Sequence, residues 1–311
     1  MTAAEALSAS LVEAAGGHVR AVLLYGSQLL RTRPDEHSAF DLVVVVDDYR
    51  AFYAGLKASG ELHRPVWLMT GMARVLAPNA IAFAPEDGGA GIAKCQIVSG
   101  EDFERALGAD PPDHFLLGRL VQKVQAVWSA SAAEAAWVEK QLAGARGRVL
   151  DWMLPYLDPA APVDAEGLGR RLLEVCYSGE FRPEAKNRSA RIFEAQAEHF
   201  RNVFASVLEG GAASGLLVRE GDRYRPAGPV PAAQRRRWRR HFTVSKARAT
   251  SRWFKHMVTF ANWLPYIVRK VERHTGRTIH LTRIERAVPI VFLWPRAIYV
   301  LLTRPHREVG S

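Results

Sequence analysis

Two apolar runs rich in β-branched residues, VRAVLLY at Val19–Tyr25 and FDLVVVV at Phe40–Val46, constrain this chain more than any other feature. Each has the length of a strand, and the residues between them, GSQLLRTRPDEHSA, are mostly polar. The pair therefore reads as two buried strands joined by a polar loop. Two further short runs, Ala80–Ala84 and Ile92–Val98, alternate with helical patterns up to about residue 125. That mixture predicts an α/β or α+β domain.

With 311 residues, 48% of them hydrophobic and 24% charged, the chain can bury a substantial core and has room for two or three folding units. Residues 113 to 209 read as mostly helical. GLLVREGDRYRP then predicts a hairpin turning at Glu220-Gly221-Asp222, and PAGPVPAA at 226 to 233 a linker. Helices followed by a hairpin suggest a winged-helix-like arrangement. Cys95 and Cys176 lie in apolar stretches without metal spacing, so neither a disulfide framework nor a zinc site is expected, and a reducing compartment fits. His18, His37, His63 and His114 are scattered, as surface or core residues are. The N-terminal MTAAEALSASLVEAAGG is a mildly acidic amphipathic helix, unlike a signal peptide.

The net charge of +10 is unevenly placed. Residues 231 to 311 hold 18 lysines and arginines against 3 aspartates and glutamates, a surplus of +15; the first 230 residues, with 24 against 29, carry −5. Such a tail calls for an anionic partner, nucleic acid or an acidic membrane surface.

The chemistry concentrates where the first run ends and the second begins. Gly26 lets the backbone approach a phosphate, and Ser27 adds a hydroxyl beside exposed N–H groups. Asp41 can hold Mg²⁺ that bridges a triphosphate. A Gly-Ser pair at a strand end is also an ordinary turn. The order strand, Gly-Ser, loop, Asp, apolar strand resembles the polymerase-β-like nucleotidyltransferase superfamily, whose signature carries a second carboxylate two residues after the first. Val43 occupies that place here. Asp47 is on the same strand face as Asp41 but roughly 20 Å along it, too far to share a metal, so Asp47 and Asp48 read as strand end and turn.

YGSQLL and FDLVVVVDD, followed by KCQIVSGEDF (94 to 103), LLGRLVQKV (116 to 124), CYSGEFR (176 to 182) and KARATSRWFKHMVTF (246 to 260), resemble in order the mitochondrial translocator assembly and maintenance protein family and its bacterial relatives. Those are phosphatidate cytidylyltransferases that make CDP-diacylglycerol. The resemblance covers most of residues 20 to 270, and that family tolerates an apolar residue where Val43 stands. It implies an α+β chain: a polymerase-β-like nucleotidyltransferase domain (1 to 125), a helical, winged-helix-like domain (126 to 230) and basic amphipathic C-terminal helices that bind membrane (231 to 311). It further implies CTP and phosphatidate as substrates, Mg²⁺ on Asp41, and Gly26, Ser27 and Lys94 on the nucleotide phosphates. Arg119, Lys123, Arg182 and Lys186 would meet the lipid phosphate. Each has an ordinary alternative: a solvated strand-end lysine for Lys94, a surface stripe on one helical face for Arg119 and Lys123, and a glycine-terminated helix for Tyr177, Ser178 and Gly179.

In the tail, Trp253, Phe254, Met257, Phe260, Ala261 and Leu264 recur at helical spacing, with Arg252, Lys255 and Arg269 expected at the polar boundary of an interfacial helix. Trp253, Phe254 and Phe260 are the expected membrane contacts. A second run, Ala287 to Leu302, holds two prolines and is short for a bilayer span. Alternatively, RRRWRR at 235 to 240 grips DNA beside the hairpin, or the tail packs as a helix pair over the first domain. The expected location is peripheral, on the cytoplasmic face of a bacterial inner membrane. A nucleotidyltransferase with another acceptor (small molecule, protein or RNA), or a non-catalytic membrane or DNA adaptor, remain the alternatives in function.

Overall fold

The computed structural model describes residues 1–30, 39–85, 91–178 and 188–259. In chain order the elements are α1 (Ala3–Ala14), β1 (Val19–Tyr25), α2 (Ser27–Leu30), β2 (Phe40–Val46), α3 (Tyr49–Ala58), α4 (Val66–Val75), β3 (Asn79–Phe83), β4 (Ala93–Ser99), α5 (Gly100–Leu107) and α6 (His114–Leu120). They continue with β5 (Gln125–Ser129), α7 (Ala132–Gly147), α8 (Val149–Met153), α9 (Ala165–Ser178), α10 (Arg188–Glu194), α11 (Ala197–Ala213), β6 (Leu217–Glu220), β7 (Arg223–Pro226) and α12 (Ala232–Thr259). The fold is α+β.

A mixed sheet of five strands, ordered β3-β4-β2-β1-β5, carries the molecule. The β1 strand is antiparallel to β2 and β5, β2 is parallel to β4, and β3 returns antiparallel to β4. Burial explains the apolar runs. Val22, Leu24, Leu42, Val44 and Val46 pack on one face with residues of α1 and α3, while Ala21, Leu23, Tyr25, Val43 and Val45 join α5, α6, α7, α9 and α11 on the other. Each fully buried Val or Leu contributes about 1.5–3 kcal/mol relative to exposure, which is why both faces are covered by helices.

The expected strands at 19–25 and 40–46 form as read, and those at 80–84 and 92–98 appear shifted by one residue. The β5 strand had no sequence signal. It pairs with β1, so the main sheet continues past residue 125. The hairpin is β6 and β7, turning at Gly221, whose φ of +66° suits glycine. An isolated bridge between Val163 and Tyr224 ties it to the segment before α9. Met1–Thr259 form one compact unit that includes α12.

Helix α12 corrects one expectation outright. Arg252 and Lys255, expected at the polar boundary, are buried, with Arg252 only 2% exposed. Arg252 Nε donates to the Ala77 carbonyl at 2.9 Å, Lys255 Nζ to that of Pro78 at 2.7 Å, and Thr259 Oγ1 to that of Ala80 at 3.3 Å. The chain between α4 and β3 presents the first two carbonyls and β3 itself the third, and buried carbonyls need donors. The helix therefore buries Arg252 and Lys255 and turns Trp253 and Phe254 outward, 48% and 55% exposed.

Candidate functional site

Strand β1 runs out at Tyr25, and the chain turns through Gly26, with φ +79°, into the single turn of α2, where the Leu30 amide donates to the Gly26 carbonyl at 3.0 Å. Antiparallel register places Asp41 beside Tyr25. As a result Gly26 lies against the Asp41 carboxylate: a Cβ at Gly26 would sit 2.8 Å from Oδ2. Only glycine meets both demands, the positive φ and the missing side chain.

On the other side of β2, Lys94 is the register partner of Asp41 in the parallel strand β4. Residues in register share a face. Val43 and Val98, further along the same faces, lie in the core shared with α6, so Asp41 and Lys94 face the α6 side of the sheet. Both are partly exposed at the sheet's end.

Arg119, in the last turn of α6, lies over the Phe115 ring at 3.8 Å and donates from Nη1 to the Phe115 carbonyl at 2.6 Å. The Arg252 guanidinium stands 4.7 Å from the same ring, and His256 6.5 Å. Burial lowers the His256 imidazole to about 3, with Lys255, Lys94, Arg252 and Arg119 adding repulsion in that order. His256 is therefore neutral near pH 7, and its Nε2 has no hydrogen-bond partner among the described residues. These interactions bring Lys94 and Arg119, 25 positions apart, into one neighbourhood roofed by α12. A carboxylate, a glycine turn and clustered cations can together bind a polyphosphate.

Two of the sequence motifs meet elsewhere. Gly118 lies so close to Cys176 that a Cβ there would fall 2.8 Å from Sγ, which seats the end of α9 against α6. The same helix stops at Leu120, so Arg119 and Lys123 share no helical face, contrary to expectation. The Lys123 amide donates to Gln196 Oε1 at 3.0 Å, and its charge acts on His199 together with that of Arg146. Arg182, Lys186, Gly179, Phe260 and the run at 287 to 302 lie outside the described residues. Asp48 caps α3 by accepting from the Arg50 and Ala51 amides. Trp238, inside RRRWRR, is buried. His114 is a core residue, its Nδ1 3.2 Å from His241 Nε2. No helix among the described residues is long and apolar enough to cross a membrane.

Among the described residues no group of three or more His, Cys, Asp or Glu side chains could hold a metal. Asp41 nevertheless fits Mg²⁺, which binds through one or two carboxylates plus substrate phosphates and waters. The volume a Cβ would fill at Gly26 opens directly onto Oδ2. Sequence reasoning missed His256, Arg252 and Lys255 as inward-facing residues. The available signal was the polar stripe Arg248, Arg252, Lys255, Thr259 at intervals of four, three and four, one face of a helix. Compared with family models and with curated proteins, the chain matches none.

Proposed function

We propose that this protein is a CTP:phosphatidate cytidylyltransferase acting at a membrane surface, forming CDP-diacylglycerol and pyrophosphate. The observation that carries the proposal is the close approach of Gly26 to the Asp41 carboxylate with Lys94 in register beside it, at one end of a mixed sheet. The motif order noted in the sequence supports it.

On this proposal the sheet is a polymerase-β-like nucleotidyltransferase unit, and α9–α11 with the β6–β7 hairpin a winged-helix-like one. Gly26 and Ser27 hold the nucleotide phosphates through backbone and hydroxyl donors. An ionised phosphate oxygen of phosphatidate attacks the α-phosphorus of CTP; the new P–O bond forms as the bond to pyrophosphate breaks. No general base is needed, because the attacking oxygen is already ionised. Lys94 neutralises the departing pyrophosphate. Asp41 holds Mg²⁺, which when bound supplies charge neutralisation at the reacting phosphates. Arg119, in the neighbourhood of Lys94, orients the lipid head group, with Arg182 and Lys186 as its proposed companions.

Trp253 and Phe254 bury in the interface while the tail's surplus charge meets anionic lipid. The protein is then peripheral on the cytoplasmic face of the inner membrane. The test supplies purified protein with each radiolabelled nucleoside triphosphate, with and without phosphatidate in liposomes. Labelled lipid from CTP alone, only with phosphatidate present, is expected; label in another acceptor, or none, rejects the proposal.

A further inference from the structure

Beyond β1, on the side away from Asp41, a second group of basic side chains gathers. Strand β1 lies between β2 and β5, so those two strands are about 10 Å apart across it. Gln125, the first residue of β5, is the register partner of Leu24 in antiparallel β1. The turn before it, which carries Lys123, therefore leaves the sheet at the same end as the Gly26 turn.

Three elements converge on that turn. The Lys123 amide donates to Gln196 Oε1 at 3.0 Å, and Gln196 Nε2 donates to Gln122 Oε1 at 2.9 Å. These bonds hold the turn against the start of α11, where His199 follows Gln196 by about one helical turn. From α7, Arg146 donates through Nη2 to the Gln122 carbonyl at 3.1 Å, next along the backbone to Lys123.

The charge gathered here is unbalanced. Lys123 is exposed and Arg146 half-buried, and neither forms an ion pair among the described residues. Arg146 Nε is enclosed, but Nη1 is neither enclosed nor hydrogen-bonded among the described residues, so one guanidinium nitrogen stays open. Burial lowers the Arg146 guanidinium from its ordinary value, opposed by Glu139 two turns back on α7. Burial also lowers His199 to about 4, with Arg146 and then Lys123 adding repulsion, which leaves it neutral near pH 7. A cation drawn out of water is normally matched by an anion, and Arg146 has two basic neighbours instead.

We propose that Lys123 and Arg146, with His199 beside them, form a phosphate subsite that takes a phosphate monoester on the flank of the Gly26 turn away from Asp41. Two positive charges equal the two negative charges of such a group, and an open guanidinium nitrogen beside an ammonium can donate to different phosphate oxygens at once. The group can come from a soluble phosphate or from a lipid head group. The subsite does not depend on the chemistry proposed at Asp41.

The experiment titrates inorganic phosphate calorimetrically into the full chain at neutral pH, then into Lys123→Gln and into Lys123→Gln with Arg146→Gln. Glutamine at 146 keeps an N–H for the Gln122 carbonyl, and circular dichroism verifies the fold. Saturable binding is expected, weakened about tenfold or more in the double variant as charge-assisted bonds are lost. Lys123→Gln changes an exposed residue outside any helix, so it serves even if the double variant does not fold, and it should weaken binding about threefold or more. Lys94→Ala, across the Gly26 turn, should leave the binding in place. Flotation with phosphatidylcholine vesicles containing phosphatidate then identifies the source. If it falls with the substitutions and added phosphate competes, the group is a lipid's; if it is unchanged, the group is soluble. Phosphate binding that is absent, unaltered by these substitutions, or abolished by Lys94→Ala overturns the proposal, whichever way flotation goes.

Discussion

Arg252 of α12 and Asp113 at the start of α6 form a buried ion pair, Nη2 lying 2.6 Å from Oδ2 with side chains 2% and 3% exposed. Arg248 shares the same carboxylate oxygen at 2.7 Å. The contact pins a C-terminal helix to the α/β layer across 139 residues of sequence. Removing one partner strands a charge in a low-dielectric setting, a loss of about 3–5 kcal/mol. Asp113→Ala should therefore lower stability by that amount in urea unfolding. Adding Arg252→Met should cost less than the sum of the two single changes, because the stranded charge goes too. Additive losses would show that the pair is not coupled.

Lys255 sets a pH dependence. Burial, followed by repulsion from Arg252 and Arg248, lowers its ammonium from 10.5 to about 6, against attraction from Asp113 and Asp102. Between those values the unfolded chain binds a proton that the folded chain does not, so stability rises with pH across that window and falls as pH drops toward 6. One proton corresponds to about 1.4 kcal/mol per pH unit. The imidazoles of buried His114 and of partly buried His199 and His256, lowered by desolvation to about 3, 4 and 3, have their effect below their ordinary value of 6.5. Urea midpoints at pH 7 and 9 should rise in the wild type and stay nearly level in Lys255→Met. Equal slopes in the two proteins would remove Lys255 as the cause.

Gly118 and Cys176 form the closest seam between α6 and α9, where a methyl group at Gly118 has no room. Gly118→Ala should cost about 1–3 kcal/mol as an overpacked contact. Cys176→Ala in the same chain should recover part of that loss, since it removes the sulfur the methyl strikes. Thermal unfolding of the single and double variants is the check, and a neutral Gly118→Ala would mean that the seam yields.

Trp253 and Phe254 point away from the packed face of α12 and stack edge-on at 5.3 Å. Their joint replacement by alanine should leave stability within about 0.5 kcal/mol, as exposed positions do. Flotation with anionic liposomes should nevertheless fall, and the salt-resistant fraction most of all, because apolar burial is not screened by ions. Unchanged flotation at high salt would take these residues out of any membrane contact.

The central strands VRAVLLY and FDLVVVV were legible because Val and Leu dominate them and both faces are buried. Strand β5 was not, because none of Gln125 to Ser129 is buried and an edge strand needs no apolar run. The outer and inner sides of α12 were misjudged for the opposite reason. Its buried stripe is Arg252, Lys255 and Thr259, matched to Asp113 and to the carbonyls of Ala77, Pro78 and Ala80. Hydropathy alone puts such residues in solvent, and their partners lie 139 to 179 positions away. Gly26 and Asp41 were singled out at strand ends and Lys94 by the motif order, and the strand register sets the three side by side. His256 had no local signal, since a single histidine within a basic helix reveals its position only when the helix is docked.

The most direct measurement is the rate at which Asp41→Asn converts CTP and phosphatidate in liposomes to CDP-diacylglycerol, set beside its urea midpoint. Asn keeps the size of the side chain and removes the charge, so the fold around Gly26 should survive. On the proposed mechanism turnover should fall by about 100-fold or more, because the lost carboxylate would no longer hold the Mg²⁺ that would neutralise charge at the reacting phosphates. A folded Asp41→Asn protein with wild-type turnover would contradict the assignment of this carboxylate, and with it the active site built around it.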